Sequence, residues 1–247
     1  MTAPAENTPN GIITDAMQDA GKLQDGKYPS SEQLAKYSRR LRDVINVCQL
    51  EGLKLWLQSD TNVPLTQGKQ KYTFVPAGDV NMTKPLRVLD GYYSDITSGA
   101  TTPVTRPIFS ISRQEWTMLS NRGTGAGAQG TITQYFVDKQ ATELDVSFWM
   151  TPDALSAANG SAHVLLQQQV TNFTGLTDTM NFPIEWRMYL RWALANDICT
   201  GQSAAIMQRC QQMYLYYKGI LENWDVEDAS TSFQPDMRQG QNQSAFR

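Results

Sequence analysis

Histidine, cysteine and long apolar runs are what this chain has least of, and each shortage closes off a class of function. The one histidine, His163, stands on a segment patterned as a strand with no cysteine or carboxylate at ligand spacing, so neither a metal site nor a Ser/His/Asp triad is indicated. The three cysteines (Cys48, Cys199, Cys210) each fall on a helical apolar pattern without paired spacing, and read as reduced core residues rather than a disulfide framework. No apolar run approaches the roughly 18 residues that a membrane span requires, and no charged-then-apolar leader opens the chain. The expectation is a protein that neither crosses a membrane nor is exported by a signal peptide. Cations are also short: 21 Lys and Arg stand against 24 Asp and Glu, a formal charge of −3. Tight wrapping of nucleic acid needs clustered Lys and Arg, so DNA beside this protein would be tolerated rather than gripped.

What the 247 residues do contain is enough apolar surface for a real core, organised around residues 181–224. Pro183 and Glu185 suit a first helical turn. From Trp186 the apolar residues Tyr189, Leu190, Trp192, Ala193, Leu194 and Ile198 fall on nearly every side, predicting a helix enclosed by neighbours. Gly201 is placed to end it and Ser203 to cap the next, whose seam runs through Ile206, Cys210, Met213, Tyr217, Ile220 and Trp224. The partner predicted for that seam is a helix opened by a Ser30/Gln33 capping box and carrying Leu34, Tyr37, Leu41, Ile45, Cys48 and Leu55 to about residue 57. Before it, Ile13, Met17 and Ala20 mark a short helix that Gly21 can end. The charges Lys36, Arg39, Arg40, Arg42 and Asp43 fall mostly off the seam, as a solvated face or, more sharply, a subunit contact.

From Asn62 the punctuation changes to Pro and Gly, and the apolar period drops towards two. Strands are expected at residues 72–75, 86–89, 108–111, 131–137, 143–150 and 164–170, with one short helix after a Ser112/Glu115 capping box, pinned by Trp116 and Leu119. The class is therefore α+β: a mainly helical bundle with a β-rich inserted domain and an extended C-terminal tail. The expected divisions are 1–60 for the N-terminal helices, 61–180 for the β-rich insertion, 181–225 for the C-terminal helical hairpin and 226–247 for the tail.

Little resembles a reaction centre. The run Gly123 to Gly130 has the glycines of a phosphate loop but neither the preceding strand nor the following helix and lysine, and reads as a β loop. Two carboxylates could hydrolyse a glycoside, but among 24 acids the sequence singles out no pair. Six tryptophans and ten tyrosines place aromatics on more than one face of their elements at Tyr72, Tyr92-Tyr93 and Tyr214 to Tyr217, as in proteins whose surface is partly interface.

Several of these residues together have a familiar order. Ile12-Ile13 with Ala16 and Asp19-Ala20-Gly21, then a capped helix ending Gly52-Leu53-Lys54-Leu55-Trp56, resembles the head-to-tail adaptor proteins of tailed bacteriophages, also called tail accessory or head-completion factors in short-tailed phages. The match continues at Leu65-Thr66 with Gly68 and Tyr72, at Lys84 to Val88, at Ile111-Ser112 with Glu115-Trp116, and at Phe182-Pro183 with Glu185-Trp186 and Ala193-Leu194-Ala195. Where such proteins tend to carry Trp-Pro-x-Pro, this chain has Trp149-Met150-Thr151-Pro152. The resemblance implies a structural virion protein at the head–tail interface. Twelve copies would ring the portal, bind a tail or nozzle protein on the other side, and line the channel through which double-stranded DNA leaves. The lone His163, the scattered cysteines and the lack of a compact acid/base motif lead to the expectation of no enzyme, no cofactor and no metal. A virion-associated peptidoglycan hydrolase is the alternative, and another tail structural or receptor-binding protein the next. The polar tail keeps spaced anchors at Phe233, Met237 and Phe246 beside Arg238 and Arg247, the pattern of a disordered segment that folds on a portal or a neighbouring subunit.

Overall fold

Two apolar cores organise the chain, one among helices and one among strands. The structure, a computed structural model, describes residues 7–50, 57–96, 102–120, 122, 125–170, 173–180 and 182–224. It is mixed α and β, as expected.

Helix α1 (Pro9–Asp19) starts on Thr8, whose hydroxyl accepts from Gly11 N at 3.2 Å, with Pro9 where a missing N–H costs nothing. It buries Ile12, Ile13, Ala16 and Met17 and stops where Gly21 turns to a φ of +69°. A side chain there would be strained, and its Cβ would meet Ile206 Cδ1 at 3.0 Å. Helix α2 (Ser31–Leu50) opens on the predicted capping box: Ser30 N donates to Gln33 Oε1 at 2.8 Å and Gln33 N to Ser30 Oγ at 3.3 Å. Tyr37, Leu41, Ile45 and Cys48 are buried along its seam, while Leu55 lies outside the described residues.

Helix α5 (Trp186–Ile198) is the enclosed one, packing against α1, α2 and α6 (Ala204–Trp224). Gly201 has the left-handed φ, +85°, that separates α5 from α6. Three ion pairs fasten α1 alongside α5: Arg187 to Asp15 at 2.8 Å, Arg191 to Asp15 at 3.8 Å, and Arg191 to Asp19, where Nη2 approaches Oδ1 at 2.9 Å. The seam of α6 differs from its expected course. Cys210 and Leu221 are buried, and Ile206, Met213, Tyr214 and Tyr217 pack beside them, but Ile220 and Trp224 are about half exposed. Near the end of α6 Leu221 takes over from Ile220 as the buried residue, a choice set by where the neighbouring helices lie and not by the spacing of the seam. The partner also differs: α6 lies on α5 and reaches Asp19 of α1 through Arg209 and Cys210, while α2 packs on α5 and α1.

Between α2 and α5 the chain forms strands. β1 (Gln58–Pro64), β10 (Gly160–Gln167), β3 (Arg87–Asp95) and β4 (Val104–Pro107) make one antiparallel sheet in that order. A second sheet has the order β2 (Lys71–Phe74), β8 (Leu144–Trp149), β7 (Gln134–Lys139), β5 (Phe109–Ser110). β6 (Gln129–Gly130) and β9 (Thr151–Pro152) form a small third. The first two sheets share a core in which Leu144, Val146 and Phe148 of the alternation Leu144, Val146, Phe148, Met150 expected to face inward are fully buried, meeting Tyr72, Phe74, Val164 and Leu166, while Met150 is half-buried. The Ser112/Glu115 box is present and opens α3 (Arg113–Met118), held by Trp116 stacked on Phe136 at 5.6 Å. β1 is polar and carried no strand signal, as an edge strand with a solvated face, and β10 begins four residues before the expected 164. Gly160 starts β10 because a Cβ there would lie 2.0 Å from Tyr93 Oη. A further short helix, α4 (Ala154–Asn159), is capped by Asp153, whose carboxylate accepts from Ser156 N at 2.7 Å.

Candidate functional site

An open groove of about 390 Å³ lies over α5. Tyr189, Ala193, Asn196 and Asp197 of α5 form its floor, Arg40, Asp43, Val44 and Val47 of α2 one wall, and Tyr214 of α6 the other. It exists because α2 and α6 each pack more extensively on α5 than on one another. Arg40 pairs with Asp197 at 3.1 Å across one end. The α2 wall is apolar beyond what a solvated surface explains: Val47 in it is 57% exposed, and Leu50, three residues on along α2, is 76% exposed. α6 adds a second apolar feature. With 21 residues against 13 for α5, its last turns reach past the start of α5, and Tyr216, Ile220 and Trp224, four apart, form an exposed ridge there.

The second feature is the solvated face of the first sheet. β10 turns Ala162, Val164 and Leu166 into the core and Ser161 and His163 outwards. Its neighbours place Tyr92 (β3) and Asn62 (β1) directly opposite His163. The Tyr92 ring stacks on the imidazole at 4.7 Å and 7°. His163 Nδ1 lies 3.3 Å from Asp60 Oδ1 and Nε2 lies 3.2 Å from Ser161 Oγ, while the Tyr92 hydroxyl donates to Asp60 Oδ2 at 2.7 Å. That hydrogen bond, and then burial, raise the Tyr92 phenol above its ordinary pKa. Beside the group, Asp60, Asp90, Tyr92, Arg106, Pro107 and Leu165 border a cleft of about 480 Å³.

The anchors Phe233, Met237, Arg238, Phe246 and Arg247 lie outside the described residues. The charged residues of α2 divide: Arg40 is paired, Arg42 lies over the Phe173 ring at 4.9 Å, and Lys36, Arg39 and Asp43 are exposed. Of the glycine-rich run, residues 126–128 make one 3-10 turn leading into β6, so a strand follows, as expected. The aromatics of β3 and α6 do occupy more than one face: Tyr93 is buried and Tyr92 outward, and Tyr216 is exposed beside the packed Tyr217. The sequence reading missed the company of His163. Ser161 two residues before it on a strand was a legible signal; Asp60, 103 residues away, became its neighbour only through pairing of β1 with β10. Among the described residues, no group of three or more His, Cys, Asp or Glu side chains is arranged to hold a metal, and no helix is long and apolar enough to cross a membrane. No protein-family model and no curated protein sequence matches this chain.

Proposed function

We propose that this chain is a head-to-tail adaptor of a tailed bacteriophage, a structural ring component that joins the portal to the tail and surrounds the exit path of double-stranded DNA. In this reading α1, α2, α5 and α6 are the bundle, and residues 61–180 are the inserted β-rich domain. The observation that carries it is the pair of unpartnered apolar features on the helices, the groove with Val47 in its α2 wall and exposed Leu50 three residues on, and the ridge of Tyr216, Ile220 and Trp224. They are different surfaces of one chain, so a contact between them is heterologous, and repeated heterologous contacts close into a ring when the rotation fits. The order of sequence motifs shared with adaptors supports the same reading, and the acidic balance suits a channel that must not hold the phosphate backbone. The tail anchors Phe233, Met237 and Phe246 are then ligands for the portal or the next subunit. Electron microscopy of the chain mixed with the portal of its own phage tests this: additional ring density on the tail-facing end of the portal is expected, and unchanged portal particles at saturating chain would refute it.

A further inference from the structure

We propose that Ser161, His163 and Asp60 form an acyl-transfer site on the outer face of the first sheet, able to hydrolyse small carboxylic esters with Ser161 as the nucleophile. The hydrogen-bond chemistry fixes the roles. A carboxylate has only lone pairs to offer, so the proton between His163 Nδ1 and Asp60 Oδ1 belongs to the imidazole. In the neutral imidazole Nε2 is then the bare nitrogen, and it faces Ser161 Oγ at 3.2 Å, ready to take the hydroxyl proton. The ring is held in plane by Tyr92, stacked at 4.7 Å, and the carboxylate is held by the Tyr92 hydroxyl at 2.7 Å. Each member of the relay is therefore oriented by a further group, as an activated nucleophile requires.

The site is reachable. Ser161 and His163 are half-buried on an outward face, and the imidazole side chain is 23% exposed. Asn62 stands opposite His163 in the register and is exposed, and Pro64 is opposite Ser161, so the Asn62 amide is one pleat from the hydroxyl on the same face. A side-chain amide there can donate to a developing oxyanion. Ser161 does not line the cleft of about 480 Å³ bordered by Asp60 and Tyr92, so the substrate class assigned to it is small, unhindered acyl groups.

The reaction balances with water as the only co-reactant. Ser161 Oγ adds to the ester carbonyl carbon as its proton passes to Nε2. The carbon–oxygen bond to the leaving group then breaks, and Nε2 returns the proton to the departing alkoxide, leaving an acyl ester on Ser161 and a free alcohol. Water adds to that ester, giving its proton to Nε2, and collapse releases the carboxylic acid with the proton back on Oγ. Asp60 and Tyr92 are positioning residues in this scheme.

The test uses the full chain, p-nitrophenyl acetate as substrate and a fluorophosphonate as active-site probe. Expected are hydrolysis above the buffer rate, one probe adduct per chain mapped to Ser161, and loss of both in S161A and H163Q with unchanged melting curves. N62A should slow turnover about 100-fold. D60N should lower kcat with little change in KM and an unchanged melting curve, a split that a merely structural carboxylate would not cause. An S161A chain that hydrolyses the ester at the wild-type rate, a probe adduct on another serine, or no adduct at all would overturn the proposal.

Discussion

The rings of Tyr189 on α5 and Tyr214 on α6 lie 5.8 Å apart at 35°, one in the floor and one in the wall of the helical groove. Their contact joins core to surface. Tyr189 is buried against Trp186, whereas Tyr214 faces the groove on its other side. The helical core and the open apolar surface are thus consecutive layers of the same helices, and substitutions can separate them.

Leu41 is fully buried among the helices, and Ile220 is 46% exposed on the ridge. Leu41→Ala should lower unfolding free energy by about 2–5 kcal/mol in urea titration, the loss of a buried side chain plus its cavity. Ile220→Glu should change it by less than about 0.5 kcal/mol, yet weaken association between copies. Equal destabilisation by both would mean that the ridge is core.

A mixture of V47C and I220C chains should form disulfide-linked dimers under mild oxidation wherever copies associate, while either variant alone should not. This follows from a heterologous contact, in which residue i of one copy meets residue j of the next. Dimers from one variant alone would indicate a two-fold contact and an open account of the ring.

The native thiols will not obscure that experiment, because Cys48, Cys199 and Cys210 are buried and in no disulfide. Burial, with Cys199 nearby, pushes the Cys210 thiol up to about 11 from an ordinary 9.0. The folded state therefore holds this proton more tightly than the unfolded one. The associated stability is fully present below pH 9, is lost as pH rises through about 11, and should be smaller in C210A, read as the slope of unfolding free energy against pH. Thiol reagents should modify the native chain only as fast as it opens.

Much of this fold was legible in the chain. The capping boxes at Ser30/Gln33 and Ser112/Glu115, Gly21 and Gly201 as helix ends, and the alternation of Leu144, Val146 and Phe148 are local signals, and each marks a feature the structure contains. What was illegible depends on residues far apart. Strand β1 carries no alternating apolar pattern, because its edge position leaves one face in water. Ile220 and Leu221 are equally apolar neighbours, and which one is buried is decided by the path of α6 over α5. Asp60 joins His163 through sheet register, which no spacing within either strand reveals. The groove arises where α2 and α6 pack less on one another than on α5, and a helical period read one element at a time contains no information about gaps between elements.

Removing residues 226–247 should leave the melting of the remaining chain nearly unchanged and reduce its attachment to the portal severely, since the segment supplies only Phe233, Met237 and Phe246 as large aromatic or Met anchors. Portal binding at unaltered affinity would reduce the segment to a solvated end.

The most direct test of the adaptor account is the mass of the intact chain in solution, by sedimentation velocity, with and without the portal of its phage. The account predicts the 27.7 kDa chain as a small species alone and a portal complex heavier by about twelve chains when mixed. A chain that sediments at the same rate in the presence of excess portal, with the portal peak unshifted, would contradict it.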